Sequence, residues 1–322
     1  MKKRVILDCD NTFGKPFHEI DDGLLLLYLL GRSDIDLMGI TNTFGNGPLA
    51  YVSECTQWLL ELMGREDIPR FDGEAYNRQN PEIALNSVGK PRYGDELKPL
   101  DEPTPAAVFL AEAAAQYPGE VHIIAAGPVG NLLGASQVNP RFFSQAAQIV
   151  CMGGYVEDLV IDARPCRELN LSCNPDAAYA MLTSSAELTV FTGQSCLDAP
   201  CFPEDIERIP WWPEEIIPYI GWWFDRNEQV YGTRRFFLWD LLPAVYLSYP
   251  ELFDGTRTCI SPTRESLHKG MLMPSGTTGR ELVLPAGILD RSKFMEVIYS
   301  AWEVHAADWK KRKPELSWRG VL

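Results

Sequence analysis

Four aspartates crowd into the first 22 residues of the chain. Asp8 and Asp10 end the apolar run Val5-Ile6-Leu7, and Asp21-Asp22 lead into a second apolar stretch at 24–30. A short apolar run closed by alternating carboxylates reads as a buried strand whose C-terminal end opens into a site. Like charges held so close raise one another's pKa unless a cation sits among them. Oxygen-only ligands of this kind suit a hard divalent ion, Ca²⁺ or Mg²⁺. A single Asp ahead of a helix is an ordinary N-cap. Four carboxylates at one strand–helix junction ask for more, and the junction is read as a metal site.

The elements that must position these groups alternate. Strands are expected at 4–7, 37–43, 70–73, 121–125, 146–152 and 188–191. Helices are expected at 22–30, 49–63, 104–117, 130–137, 140–147 and 175–183, with Pro105 in a first turn and Gly64 just past an end. This βαβ alternation predicts an α/β fold with a mostly parallel central sheet, helices on both faces and Rossmann-like layering. Residues 74–100 lack periodicity and read as a long loop, a candidate lid. The aromatic-rich stretch 211–239 reads mainly as amphipathic helix packing and is a second lid candidate. Late strands are expected at 270–273 and 281–284, and a closing helix at 292–309. No internal repeat or linker divides the chain, so 1–322 is expected to form one domain.

Ligands of open parallel sheets bind beyond the carboxyl ends of the strands. Past the second strand lies Thr43-Phe44-Gly45-Asn46. Past the strand at 121–125 lies Ala126-Gly127-Pro128, a turn suited to present a backbone carbonyl to a cation. Past the strand at 146–152 lie Gly153-Gly154, then Asp162 and Glu168-Leu169-Asn170, and Trp239-Asp240 opens a later helix. Carboxylates, amides and an aromatic, with no Walker glycine loop, suit a polyhydroxylated ligand held by a hard metal. The net charge of -15 argues against nucleic acid and anionic membrane as partners. The apolar run after Met1-Lys2-Lys3-Arg4 is too short for a signal sequence, so a cytoplasmic protein is expected. The eight Cys include no CxxC pair and no His pair has zinc-ligand spacing, so neither a disulfide framework nor a zinc site is expected.

Taken in order, Leu7-Asp8-Cys9-Asp10, Asp21-Asp22-Gly23, Thr43-Phe44-Gly45-Asn46, Ala125-Ala126-Gly127-Pro128, Met152-Gly153-Gly154, Glu168-Leu169-Asn170 and Trp239-Asp240 resemble the nucleoside hydrolases. These are the Ca²⁺-dependent, inosine-uridine-preferring nucleoside N-ribohydrolases. The resemblance spans residues 5–247. It implies hydrolysis of the N-glycosidic bond of a small-molecule ribonucleoside to ribose and free base. Calcium would be held by Asp10, Asp22, Asp240 and the carbonyl of Ala126. Asp10 would also activate the attacking water. Asp21, Asn46, Glu168 and Asn170 would bind ribose hydroxyls, Met152 would line the sugar pocket and Asp8 would support the cluster. The resemblance also implies a homodimer or homotetramer.

The chain departs from the family pattern at several points. The family's Asp-Pro-Gly-x-Asp-Asp loop is lengthened here to residues 10–22, so Phe13, Phe17 or His18 could meet the base. Asp162 aligns with a ribose-binding Asn of many members, and Asn174 replaces an Asp and reads as a helix cap. Trp239 stands where many members carry a His that protonates the leaving base. Some purine-specific members have Trp there, and stacking favours large aromatic bases, so purine ribonucleosides are the expected substrates. Two other readings compete. Leu7-Asp8-Cys9-Asp10-Asn11-Thr12 also resembles the first motif of haloacid-dehalogenase-type Mg²⁺ phosphatases, with Asp8 as nucleophile. A non-catalytic nucleoside- or sugar-binding protein could keep the same pocket.

Overall fold

The computed structural model describes residues 2–75, 102–209 and 212–316, with side chains up to residue 304. Most of the candidate lid at 74–100 and Trp211 lie outside the described residues. The strands of the main sheet are β1 (Lys3–Cys9), β2 (Ile35–Asn42), β3 (Arg70–Asp72), β4 (Val121–Ala125), β5 (Gln148–Met152), β8 (Leu188–Phe191), β11 (Arg257–Ile260), β12 (Pro274–Gly276) and β13 (Arg280–Val283). Their order is β12-β11-β13-β8-β5-β4-β1-β2-β3. From β13 to β3 every pairing is parallel, and β11 joins β13 and β12 antiparallel at one edge. The expected α/β class with a mostly parallel sheet is therefore what the chain forms.

Alternation along the buried strands divides the interior in two. Val5, Leu7, Ile124, Val150 and Phe191 face one apolar layer, and Ile6, Ile123, Ile149 and Val190 face the other. The first layer holds helices α1 (Asp21–Gly31), α2 (Leu49–Met63), α7 (Leu241–Ser248) and α8 (Arg291–Leu316). The second holds α3 (Pro105–Gln116), α4 (Gly130–Val138) and α5 (Pro175–Thr183). α1 is apolar on all sides because it is enclosed by the sheet, α7 and α8. Each of its buried leucines contributes on the order of 2 kcal/mol. A Cβ at Gly31 would lie 2.0 Å from the Ala301 carbonyl oxygen, so this glycine lets α1 and α8 touch backbone to backbone.

β1 sits at the point where the connections change direction. The chain runs outward through β2 and β3, then returns to place β4 on the other side of β1. The loops after β1, β2, β4 and β5 consequently open onto one crevice. Between β5 and α5, β6 (Leu159–Ile161) and β7 (Arg164–Cys166) pair as a hairpin turned through Asp162 and Ala163, both at positive φ. No strand forms at 270–273, where one bridge from Met271 to Tyr155 stands instead, and β12 begins at Pro274. The aromatic stretch supplies α6 (Ile217–Tyr231) and the short strand β10 (Phe236–Phe237), which pairs with β9 (Pro200–Cys201).

Candidate functional site

The floor of the crevice is the end of β1. Asp8 is fully buried, and its Oδ1 accepts from Thr41 Oγ1 at 2.6 Å and Asn131 Nδ2 at 2.8 Å. Asn131 also donates to the Asn42 carbonyl, so Asp8 ties β1 to β2 and to the start of α4. Two residues on, Asp10 is equally buried. Its Oδ2 accepts from the Asn46 backbone N–H at 2.5 Å. A Cβ at Gly45 would stand 1.9 Å from that oxygen, so only glycine lets the loop after β2 come so close.

The N-terminus of α1 brings up the next groups. Asp21 and Asp22 are fully buried in its first turn, where the helix dipole favours negative charge. Asp21 Oδ2 accepts from the Asp240 backbone N–H at 2.7 Å, which ties the start of α1 to the start of α7. Asp22 Oδ2 accepts from Asn46 Nδ2 at 3.2 Å. A carboxylate that sequence reasoning passed over joins them. Glu19 accepts the Asp21 N–H with both oxygens at 2.8 Å, and its carboxylate, with those of Asp22 and Asp240, forms a set of oxygens within 4.8 Å of one another. The signal was its place in Glu-Ile-Asp-Asp, directly before the helix.

These groups are poorly balanced by protein alone. Among the described residues, Asp10, Asp21 and Asp22 each keep one buried Oδ1 with no hydrogen-bond partner. Burial, and then the charge of Asp22, hold Asp10 and Asp240 well above the usual carboxylate range. Burial, and then Glu19, do the same to Asp21. Burial pushes Asp22 up to about 7. Orphaned, crowded carboxylate oxygens with no cationic side chain from the described residues among them are a donor set that fits a hard divalent ion.

Across the crevice, the Ala126 carbonyl follows β4 and accepts from Asn170 Nδ2 at 2.8 Å. The same amide lies 3.1 Å from the Met152 carbonyl oxygen. Glu168 is held by three backbone N–H groups, from Gly154 at 3.0 Å, Leu171 at 2.8 Å and Ser172 at 2.7 Å. Its pKa is nonetheless raised, because burial outweighs those bonds. Above lies a cavity of about 290 Å³ bordered by Glu19, Asn46, Ala126, Met152, Glu168, Asn170, Trp239 and Asp240. That size is near the lower end for small-molecule sites.

Part of its remaining wall is aromatic, beside Ile161, Cys166, Arg167, Leu169 and Asn227. Trp239 stands 5.2 Å from Phe237, ring to ring, with Tyr155, Trp223 and Tyr231 alongside. These last rings come from the stretch 211–239 and from β5's exit loop, and sequence reasoning assigned most of them to packing. Asp162 lies apart from its expected ribose contact: both its oxygens accept from Arg235 Nη2 at 2.9 Å, and the hairpin turn directs it to that cation. The lengthened loop brings none of the three expected rings to the cavity. Phe13 is fully buried, edge-on to Trp58 and Tyr219. Phe17 lies against Trp222, and His18 against Tyr51. Asn174 caps α5 as expected, accepting from the Ala177 N–H at 3.0 Å.

The sequence profile described as inosine-uridine preferring nucleoside hydrolase matches residues 5–311. A probable uridine nucleosidase 2 of Arabidopsis thaliana is 31% identical over 285 residues, 84% of this chain and 85% of that protein. Two solved structures share the fold. A plant nucleoside hydrolase superposes with a TM-score of 0.77 at 21% identity, covering 94% of this chain and 99% of its own. A purine-preferring ribonucleoside hydrolase from Gardnerella vaginalis gives 0.76 at 20% identity with the same coverage.

Proposed function

The chain belongs to the inosine-uridine preferring nucleoside hydrolase family, and we propose that it hydrolyses the N-glycosidic bond of purine ribonucleosides with the help of Ca²⁺. The observation that carries the reading is the set of buried, unpartnered carboxylate oxygens of Asp10, Asp21 and Asp22 beneath a cavity with an aromatic wall. Asp10, Asp22, Asp240 and the Ala126 carbonyl would hold the ion. When bound, Ca²⁺ supplies Lewis-acid polarisation of water and of the sugar hydroxyls.

The remaining work falls to the side chains. Asp10 Oδ1 takes the proton of the attacking water. Asp21 Oδ1, Asn46, Glu168 and Asn170 accept from or donate to the ribose hydroxyls, and Met152 packs against the sugar. Bond cleavage builds positive charge on the sugar, and the surrounding carboxylates stabilise it electrostatically. Trp239 stacks on the leaving base. A site built to bond the 2′-hydroxyl leaves buried groups unpaired when it is missing, so 2′-deoxynucleosides react poorly. The proposed assembly is a homodimer or homotetramer in the cytoplasm.

A second reading, uridine as substrate, is favoured by the name of the Arabidopsis relative. The phosphatase alternative needs Asp8 to attack a phosphate, and Asp8 is fully buried with its Oδ1 bound by Thr41 and Asn131. The test is release of free ribose from inosine, adenosine, guanosine, uridine and 2′-deoxyinosine, with Ca²⁺ and after chelation. Calcium-dependent release from purine ribosides above uridine supports the first reading. Faster release from uridine moves the assignment to the second.

A further inference from the structure

Glu19 has a position that the ligand set above does not use. It belongs to the stretch that lengthens the loop between Asp10 and Asp21. It borders the cavity, whereas Asp22 lies fully buried behind it. One of its oxygens and one each from Asp22 and Asp240 lie within 4.8 Å of one another, a spacing that one ion in contact with all three permits. The Asp21 N–H fixes the carboxylate at 2.8 Å, and Asn46 Nδ2 reaches Glu19 Oε2 at 3.5 Å and Asp22 Oδ2 at 3.2 Å. A fully buried Asp22 Oδ1, without a hydrogen-bond partner among the described residues, provides a separate sign that the cluster accommodates a ligand.

We propose that Glu19 is a further carboxylate ligand of the cation, supplied by the lengthened loop on the cavity side of the ion. This rests on the cation reading given above. A ligand added on that side raises cation affinity before any nucleoside binds, because affinity for a hard divalent ion follows the number of charged oxygens around it. It also places Glu19 where the sugar hydroxyls approach.

The competing role for Glu19 is a cap on the N-terminus of α1, through its bond to the Asp21 N–H. The two roles separate in measurement. Ca²⁺ binding to the chelator-treated full chain is followed by titration calorimetry for wild type, Glu19→Gln, Glu19→Ala and the surface variant Glu61→Gln. Thermal midpoints are recorded with and without Ca²⁺. Loss of a charged ligand weakens the Ca²⁺ Kd by roughly tenfold or more in both Glu19 variants. It also shrinks the Ca²⁺-induced rise in midpoint, while the cation-free midpoint of Glu19→Gln stays level or rises because repulsion is relieved. Glu61→Gln leaves both readings unchanged. A Kd within twofold of wild type in Glu19→Gln overturns the proposal, as does an equal drop in midpoint with and without Ca²⁺, which is the signature of a lost cap. Absence of Ca²⁺ binding by the wild-type chain itself overturns the cation reading beneath it.

Discussion

Trp239 and Asp10 carry different parts of the proposed chemistry, and single substitutions separate them. Asp10→Asn keeps the shape and removes the proton acceptor. Turnover is expected to fall by roughly 10²–10⁴-fold, the range for loss of a general base, in a ribose-release assay. A fall smaller than tenfold would leave Asp10 without that role. Trp239→Ala is expected to lower purine riboside turnover far more than turnover of a nitrophenyl riboside, whose leaving group departs unaided. Equal losses on both substrates would sink the stacking role. Asp10 was legible because an apolar run ending in alternating carboxylates has few structural uses. Glu19 was not, because a glutamate before a helix is commonplace and only the folded loop aims it at Asp22 and Asp240. The partner of Asp162 was not legible either: its alignment suggested sugar, and Arg235, distant in sequence, donates to both its oxygens.

The element that distinguishes this chain is the lengthened loop, residues 11–20. Its anchor is Phe13, which has no exposed surface, meets Trp58 and Tyr219 edge-on, and would lie 2.2 Å from a Cβ at Gly23. Phe13→Ala is therefore expected to cost about 3–5 kcal/mol of stability, as for other buried aromatics, read from denaturant midpoints. A cost below about 1 kcal/mol would mean that the loop is not held by this ring. Gly45→Ala belongs to the same scale. Its new Cβ would strike Asp10 Oδ2, so Ca²⁺ affinity and turnover should fall while the far-UV circular dichroism stays native. Retained affinity would show that the loop after β2 moves freely. Strands such as Val121–Ala125 and helices such as Leu49–Met63 and Pro175–Thr183 were readable from apolar spacing, Pro and Gly. The β6–β7 hairpin was not, since its strands are three residues long and its turn uses Asp162 and Ala163 at positive φ rather than glycine.

At the scale of the whole molecule, buried charge sets the response to pH and to chelation. Burial and the neighbouring Asp22 raise Glu19 to about 8, and burial raises Asp22 to about 7. In an unfolded chain such groups ionise near an ordinary value of about 4. Between those limits the folded, cation-free chain keeps protons that the unfolded chain has released. Its stability must therefore fall as pH rises through that window. Saturating Ca²⁺ should offset the loss, so the Ca²⁺-induced rise in thermal midpoint should be larger at pH 8 than at pH 5. An equal rise at both pH values would contradict the assignment of the cluster as the cation site.

One bond described above also has a meaning in time. Asp21 Oδ2 accepts from the N–H of Asp240, 219 residues later in the chain. During synthesis the first strand and helix leave the ribosome with their carboxylates, and the last of the cluster, Asp240, arrives only just ahead of α7. A nascent chain shorter than about 240 residues thus carries the repulsion without the means to complete the cage, and under the proposed reading the ion would seal only a finished product.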